Sequence, residues 1–597
     1  MNNTVLEVTN RILKRSEKLR ETYLAQVQSY IEKGKGRSTM TCGNMAHTAA
    51  ACGGASSRLL DFTTLNVGIV TAYNDMLSAH QPYQHYPDQI KSILSNIGHT
   101  AQVAGGVPAM CDGVTQGQDG MDLSLFSRDL IAQATAIGLS HNAFDATLLL
   151  GVCDKIAPGQ IIGALSFGHL PTAFVPSGPM PTGISNDEKV QVRQKYAAGE
   201  LGKDALQNME CNAYHSPGTC TFYGTANTNQ LVFEAMGLML PGSAFVSPTN
   251  PLRDALTELT AKHIIRVSNS ASKDFRPIAK VMDEKSLVNG LVALLASGGS
   301  TNHTIHMIAI ARAAGLIVTW DDFDALSDVV PQLTKMYPNG PADINAFEAA
   351  GGVPTLMRRL HQLDLLHMDA TPIYGTMEDY LTRPCLVDGQ VQFQAATEST
   401  APDVVAMDDV VFSAQGGLKV LDGNIGRGVI KISAVAPENR FIQAPIKVFS
   451  SQHDVEKAYQ QGELNRDVII VVRHNGPGAN GMPELHKLMP ILGNLMKAGY
   501  KTALVTDGRL SGASGKVPAA IHITPESSKG GPLARVVDGD VITLDAENGS
   551  LMIDAQLDER ENDINGNTQE QLGMGRELFR MFRDNVSSAE TGASILL

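Results

Sequence analysis

Short, uninterrupted runs of apolar residues mark four places in the chain as candidate strands. They are Asn66–Ala72, Thr147–Val152, Val468–Val472 and Thr502–Thr506. Runs that are apolar at every position are typical of strands covered on both faces, as in a parallel sheet. Helical periodicity is clearest at residues 123–139, 286–295 and 304–314. The pattern predicts an α/β fold, an α/β/α arrangement with a mostly parallel sheet, for the N-terminal part of the chain.

The pattern changes near residue 390, where short β-type segments follow one another between tight turns. Residues 410–435 and 534–557 contain Asp-Gly, Asn-Gly and Gly-Gly pairs, which favour hairpin turns. We therefore expect two domains. The first is an α/β domain over residues 1–389, and the second is a β-rich, barrel-like domain over residues 390–597.

Composition and charge exclude several classes of function. The 597 residues include 47 basic and 61 acidic side chains, a net charge of −14, which argues against a nucleic-acid or anionic-membrane partner. No apolar run approaches the roughly 18–20 residues of a membrane helix, and the N-terminus is predicted to be an amphipathic surface helix. Seven cysteines without close pairing do not form a disulfide framework. We expect a reduced, cytoplasmic protein whose cysteines are core residues or metal ligands.

The most informative motif follows the predicted strand Thr147–Val152. Cys153, Asp154 and Lys155 come directly after it, and a Pro-Gly pair precedes the next helix. Polar residues at the carboxyl end of a buried parallel strand lie where open α/β sheets bind ligands. Packing alone would not select a thiol, a carboxylate and an amine in succession, so we interpret these three residues as part of a site.

Two glycine-rich loops supply further candidate ligands. Residues 105–121 carry five glycines around Cys111 and Asp112, which brings backbone amides and a carboxylate close to a ligand or ion. Residues 214–229 place Cys220 after a Pro-Gly pair. Cys220 is either an ordinary loop cysteine or a second thiolate for an iron–sulfur cluster, since such clusters also take cysteines from separated loops.

The segment at residues 468–488 contains a glycine pattern found in dinucleotide-binding proteins, and the sequence holds arguments for and against that role. Its strand, glycine loop and helix contain G-x-G-x-x-G at residues 476–481, and Asp507 lies roughly where a ribose-binding acid would, as in a nicotinamide-dependent oxidoreductase. Against that interpretation, Glu484 stands near the start of the helix, where it would repel a pyrophosphate.

Ser511 follows the last of the predicted strands, in a loop of small residues. It is either an ordinary loop hydroxyl or a general base. A serine hydroxyl is very weakly acidic, so the second role requires nearby cations that stabilise the alkoxide.

Taken together, these stretches resemble the dihydroxy-acid/phosphogluconate dehydratase family over about residues 35–560. The matching pieces are CDKIAPG (153–159), PSGPMPTG (176–183), PGTCTFYGTAN (217–227), ASGGSTNHTIH (296–306), DINAFEAAGG (343–352), GNIGRGVIKISAV (423–435), NGPGANGMPEL (475–485) and TDGRLSGASG (506–515). The resemblance implies an iron–sulfur hydro-lyase that uses Mg²⁺ or Mn²⁺ and forms a homodimer. It also implies roles for individual residues: cluster ligands Cys153 and Cys220; divalent-ion ligands Asp112, Asp154, Glu484 and Lys155, the last as a carbamate; and a base, Ser511.

The type of cluster depends on a third ligand. Members of the family with a [2Fe–2S] cluster carry a third cysteine in the loop after the first strand, whereas residues 74–80 here read NDMLSAH. This departure favours a [4Fe–4S] cluster with one open iron, with [2Fe–2S] as the alternative. Cys111 is a candidate replacement ligand. The other four cysteines are expected to be structural.

The substrate follows from the finer resemblance. YNDMLSAHQPY, MCDGVTQGQDGM and YHSPGTCTFYGTAN are similar to the phosphogluconate branch of the family. This implies dehydration of 6-phospho-D-gluconate to 2-dehydro-3-deoxy-6-phospho-D-gluconate in the Entner–Doudoroff pathway. The alternatives are a dihydroxy-acid dehydratase of branched-chain biosynthesis, the nicotinamide oxidoreductase and a non-catalytic iron–sulfur sensor.

A phosphorylated substrate also needs an anion pocket. Residues 298–302, before a predicted helix, offer hydroxyls and amides for an anion, although simple helix capping is the favoured interpretation. Arg473 and Arg509 lie beside the site motifs and are further candidates for the phosphate or the carboxylate.

Overall fold

The computed structural model describes residues 1–512, 514–563 and 571–597; Ala513, inside the 506–515 motif, lies outside the described residues. Helices make up most of the N-terminal part. They are α1 Asn3–Glu32, α2 Cys42–Ala50, α3 Ser56–Leu59, α4 Tyr86–Asn96, α5 Asp112–Thr115, α6 Ser124–Leu139, α7 Ile156–Leu165, α8 Asn186–Ala197, α9 Lys203–Ala213, α10 Thr225–Ala235, α11 Pro251–Arg266, α12 Ile278–Val281, α13 Glu284–Ala296, α14 His303–Ala313, α15 Trp320–Ser327, α16 Ile344–Ala349 and α17 Gly352–Gln362.

A parallel sheet lies among these helices. Its strands are β1 Asn66–Thr71, β2 Thr100–Gly106, β3 Ala146–Leu150 and β4 Thr172–Phe174, in the order β2-β1-β3-β4. Every residue of β1 and β3 is buried, so both faces of these strands are covered, as their continuous apolar runs predict. An antiparallel hairpin, β5 Thr382–Val387 and β6 Gln390–Ala395, follows.

The C-terminal part is built around an eight-stranded mixed sheet. Its strands are β7 Leu418–Leu421, β8 Arg427–Lys431, β9 Phe441–Phe449, β10 Val468–Val472, β11 Thr502–Thr506, β12 Ala519–Thr524, β13 Val541–Asp545 and β14 Ser550–Ile553. Its helices are α18 Gln452–Gln460, α19 Pro477–Asn480, α20 Leu488–Lys497 and α21 Arg580–Asn585. The strand order is β14-β13-β9-β10-β11-β12-β8-β7, with β9 to β12 parallel to one another.

The two edges of this sheet meet, which gives it the shape of a nearly closed barrel. Asp422, just after β7, donates its backbone N–H to Gly549 and accepts the N–H of Leu551 in β14, at 2.9 and 3.0 Å. The predicted fold class, an α/β domain followed by a barrel-like β-rich domain, is therefore confirmed. The hairpin around Gly549 forms at one of the predicted Asn-Gly turns.

Alternate side chains of β10 pack into two different hydrophobic cores. Ile469 and Val471 pack inside the barrel, while Val468, Ile470 and Val472 belong to the large core shared with the helices. Because both faces are buried, no polar alternation is possible along this strand.

The end of the chain returns to the N-terminal part. Ser594 and Ile595 donate hydrogen bonds to Asp129 of α6, at 2.8 and 2.7 Å, and Arg128 donates to the carbonyl of Ala593 at 2.7 Å. These contacts join the C-terminal end of the chain to α6 of the N-terminal part. In the described ranges no helix has the length and apolar character needed to span a membrane.

Candidate active site

Three carboxylates from distant segments converge between the two parts of the chain. Asp112 begins α5 after β2, Asp154 follows β3, and Glu484 follows β10 and α19. Each offers an oxygen within 4.8 Å of the others. Asp154 and Glu484 are buried and Asp112 is half-buried. Carboxylate oxygens at this spacing could hold a hard divalent cation such as Mg²⁺.

Two cations lie among the three carboxylates. The Lys155 ammonium donates to Asp112 and, at 2.6 Å, to Asp154. The Arg509 guanidinium donates to Asp112 at 3.0 Å, to Glu484 at 2.8 Å and to Asp154 at 3.3 Å. Buried charges are tolerated when they are paired in this way. With all five groups ionised, the cluster keeps one excess negative charge.

The protonation of the carboxylates follows from their neighbours. Burial and the nearby Asp112 raise the pKa of Glu484 above its usual value, against the effect of Arg509. Burial also opposes ionisation of Asp154, but Lys155, His306 and Arg509 together hold its pKa well below the usual range. Burial therefore favours the neutral form of Glu484, whereas Asp154 stays ionised beside its cations.

Three residues that the sequence reasoning missed contact the carboxylates. His306 Nε2 lies 3.2 Å from Asp154 Oδ1, and burial lowers the pKa of this histidine to about 4. Ser124 donates its hydroxyl proton to Asp112. Gln116 donates to Glu484 at 3.2 Å. His306 stands in the ASGGSTNHTIH motif, but no spacing in the sequence connects that motif with Asp154.

Three thiols meet beside the carboxylates. The Cys111 thiol is hydrogen-bonded to that of Cys153, which lowers the pKa of Cys111 and raises that of Cys153. Burial and the charge of Cys111 raise the pKa of Cys220. Cys153 has φ +70°, a left-handed backbone conformation that is rare for a residue with a side chain and is concentrated at functional sites. The donor set is therefore three cysteines, and thiolates are the usual ligands of iron–sulfur clusters.

Ser511 lies in the loop after β11, at the junction of the two parts. A side chain on its neighbour Gly512 would approach Ser300 Oγ to 2.4 Å, so this loop packs directly on the N-terminal part. Ser511 lines a cavity together with Gln116, the residue that donates to Glu484. The structure thus places Ser511 on the wall of a cavity that is also lined by a hydrogen-bond partner of Glu484, while its role as a base stays a prediction.

The glycine fingerprint at residues 476–481 binds an anion of the protein itself. The Glu526 carboxylate accepts the backbone N–H groups of Gly478 and Ala479, at 3.0 to 3.3 Å. Asp507 accepts backbone N–H groups of His474, Asn475 and Ser527. A pyrophosphate and a ribose would need these same groups, so the segment is not arranged for a dinucleotide.

Two of the expected anion-binding groups are engaged elsewhere. Arg473 donates to backbone carbonyls at residues 533, 534 and 536 and pairs with Asp563 at 2.6 Å. In the loop before α14, the amides of Gly298, Gly299 and Ser300 donate within the protein. This arrangement agrees with simple packing and capping.

Sequence comparisons identify the chain. The N-terminal model of the dihydroxy-acid/6-phosphogluconate dehydratases matches residues 65–379, and the C-terminal model matches residues 403–593. The chain therefore belongs to the dihydroxy-acid/6-phosphogluconate dehydratase family.

The chain is more similar to two phosphogluconate dehydratases than to a dihydroxy-acid dehydratase. The chain is 54% identical to the phosphogluconate dehydratase of Escherichia coli K12, with 100% of both chains covered. It is also 54% identical to the phosphogluconate dehydratase of Pseudomonas aeruginosa, covering 99% of this chain and 98% of the relative. The dihydroxy-acid dehydratase of Ignicoccus hospitalis is 31% identical over 83% of this chain and 87% of its own.

Removing the guanidinium from the cluster tests its role as counter-charge. Arg509→Met should lower the free energy of unfolding of the metal-free protein by about 3–5 kcal/mol, because three buried carboxylates then keep a single cation. The measurement is denaturant unfolding followed by circular dichroism. Arg535→Met is the control, since its partner Asp558 is fully exposed and such pairs contribute little. Equal, small changes in both variants would contradict this account of the cluster.

Proposed function

We propose that this chain dehydrates 6-phospho-D-gluconate to 2-dehydro-3-deoxy-6-phospho-D-gluconate and water, a step of the Entner–Doudoroff pathway. The observation that carries the proposal is the full-length identity of 48–54% with relatives named phosphogluconate dehydratase, against 31% with a dihydroxy-acid dehydratase. The carboxylate and thiol clusters supply the groups that such a reaction needs. Homodimer formation stays a prediction from the family resemblance, and a cytoplasmic location stays a prediction from the cysteine content and the character of the N-terminal segment.

The carboxylate cluster fits a divalent ion, Mg²⁺ or Mn²⁺. Asp112, Asp154 and Glu484 would be its ligands, because their oxygens already lie close together and carry more negative charge than Lys155 and Arg509 balance. Carbamylation of the buried Lys155 would replace a cation with an anionic oxygen ligand. That change would leave Arg509 as the only resident cation among the five groups described above.

The thiol cluster fits a [4Fe–4S] cluster held by three cysteines. Cys153 and Cys220 are joined by Cys111, whose thiol contacts that of Cys153. We assign Cys111 as the third ligand, in place of the cysteine that residues 74–80 lack. Three protein thiolates leave one iron of a four-iron cluster without a protein ligand, which is the open position that a substrate hydroxyl requires.

Together, the bound ion and cluster would supply Lewis acidity at the substrate's carboxylate and at its C2 and C3 hydroxyl groups. Ser511 takes the C2 proton, and the electrons of the C2–H bond form the C2=C3 double bond. The C3 hydroxyl leaves as hydroxide, and return of the proton that Ser511 took from C2 converts it to water and restores the serine alkoxide. The resulting enol loses its hydroxyl proton and gains one at C3, which gives the 2-keto acid. Arg509, two residues before Ser511, supports the charge that Ser511 carries as an alkoxide.

A side-by-side assay tests the proposed substrate. Anaerobically purified protein with added Mg²⁺ should form a 2-keto acid from 6-phosphogluconate and not from 2,3-dihydroxyisovalerate. Chelation should abolish turnover, and Mg²⁺ or Mn²⁺ should restore it. Turnover of the branched acid alone would replace the substrate with that of a dihydroxy-acid dehydratase. An intact cluster with no turnover of either compound would favour a sensor.

Serine variants of the three cysteines test the cluster ligands. Cys153→Ser, Cys220→Ser and Cys111→Ser should each lose most of the brown chromophore and bound iron, because a hydroxyl is a poor substitute for a thiolate. Cys385→Ser, in the β5–β6 hairpin, is the control and should keep both. The measurements are visible absorbance and iron content after anaerobic purification. A fully retained cluster in Cys111→Ser would remove that residue from the ligand set.

Ser511→Ala tests the base. The variant should keep the chromophore and its Mn²⁺ affinity, measured by electron paramagnetic resonance, and lose about 100- to 10,000-fold in kcat, the usual contribution of a general base. Near-normal kcat in a protein that retains both metals would rule out Ser511 as the base.

A further inference from the structure

A cavity of about 170 Å³ is lined by Ser511. Its walls come from both parts of the chain: α8 on one side, and α20 and the loop after Ser511 on the other. Gln116 lines the cavity and donates to Glu484, so the cavity begins where the carboxylate cluster ends. A substrate whose carboxylate lies at the cluster would extend its other end into this space.

The deep wall carries a buried ammonium. Lys189 is 4% exposed and lines the cavity. Across the described residues, no hydrogen bond or ion pair engages its ammonium group. An unpaired ammonium is costly to bury, and here burial and the neighbouring Arg193 lower the pKa of Lys189. Because burying this ammonium group without a counter-ion is unfavourable, we infer that an anion binds next to Lys189.

The nearby carboxylates are already engaged. Glu210 forms a bidentate pair with Arg193, at 2.7 and 2.8 Å. Asp343 caps α16 and accepts the hydroxyl of Thr182 at 2.6 Å. Neither carboxylate forms an ion pair with Lys189, so its charge is directed at the cavity.

A second lysine lines the same cavity. Lys516 is exposed and lines the cavity, with its ammonium 5.5 Å from the centre of the Tyr337 ring. The two lysines therefore approach the cavity from the two parts of the chain. A phosphate dianion has enough oxygens to accept hydrogen bonds from both, and lysine ammonium groups commonly bind phosphate as point charges.

We propose that Lys189 and Lys516 bind the phosphate group of the substrate, at the opposite end of the sugar acid from the carboxylate cluster. This inference rests on the proposed function and deepens it. It also explains selectivity, since a branched dihydroxy acid has no anion for this end of the cavity. Arg193, which also lines the cavity, is paired with Glu210. Arg509 is held by three carboxylates, and Arg473 is held by Asp563 and backbone carbonyls. These pairings leave the two lysines to neutralise the phosphate.

The test compares Lys189→Ala with Lys195→Ala, an exposed lysine on the same helix that does not line this cavity. Lys189→Ala should raise KM for 6-phosphogluconate about 10- to 100-fold, the usual size of a lost charge-assisted contact, with a smaller change in kcat. Lys189→Arg should recover part of the loss, and Lys516→Ala should shift KM in the same direction. Lys195→Ala should match the wild type. Chromophore content and circular dichroism confirm that each variant is folded.

A second probe keeps this inference separate from the proposed function. The ³¹P resonance of inorganic phosphate should broaden when wild-type protein is added, because phosphate exchanges between the free and the bound state. The Lys189→Ala variant should not broaden it. Loss of phosphate binding in Lys189→Ala would support the phosphate pocket. Failure of the wild type to turn over 6-phosphogluconate would overturn the proposed function but not the pocket. An unchanged KM together with unchanged phosphate binding in Lys189→Ala would overturn the pocket.

Discussion

Three carboxylates from three separate segments are buried together, and two cations among them make this arrangement stable. Asp112, Asp154 and Glu484 would repel one another at this distance if Lys155 and Arg509 were absent. Glu484 and Arg509 come from the C-terminal part and the other three from the N-terminal part. The cluster therefore forms only when the two parts are packed together, and the same ion pairs that complete the site also join the domains.

Strand geometry explains why these residues can meet. Parallel strands end at one edge of a sheet, so the loops after β1, β2 and β3 share one side of the N-terminal sheet, and those after β10 and β11 share one side of the barrel sheet. Placing the two edges face to face brings a strand end with Cys153 and Asp154 against a strand end with Arg509 and Ser511. Both sheets are buried on each face of their central strands, which fixes these edges rigidly.

Sequence reasoning succeeded where the signal was local. The apolar runs predicted the central strands, and turn pairs such as that at Gly549 predicted hairpins. Cys153 and Asp154 come from one local motif, and their roles as ligands stay predictions. It could not find His306, which contacts Asp154 across 152 positions of sequence. It could not find Lys189 either, because a lysine on a polar helix carries no sign that tertiary packing buries it. The glycine pattern at residues 476–481 suggested a dinucleotide site. The carboxylate that binds its amides belongs to Glu526, which is 48 positions from Gly478, so the local sequence does not reveal it.

One end of the proposed site is rich in carboxylates and the other contains a buried ammonium group. This difference in charge would determine which way round the proposed substrate binds. With all five groups ionised, the carboxylate cluster keeps one excess negative charge, so the carboxylate of the proposed substrate would approach it through a bound cation. The cavity beyond Ser511 has the reverse imbalance, a buried ammonium without a partner anion among the described residues. A sugar acid that is phosphorylated at its far end satisfies both imbalances in a single orientation. In the orientation that we propose, the carboxylate end of the substrate lies at Asp112, Asp154 and Glu484, and its phosphate end lies at Lys189 and Lys516.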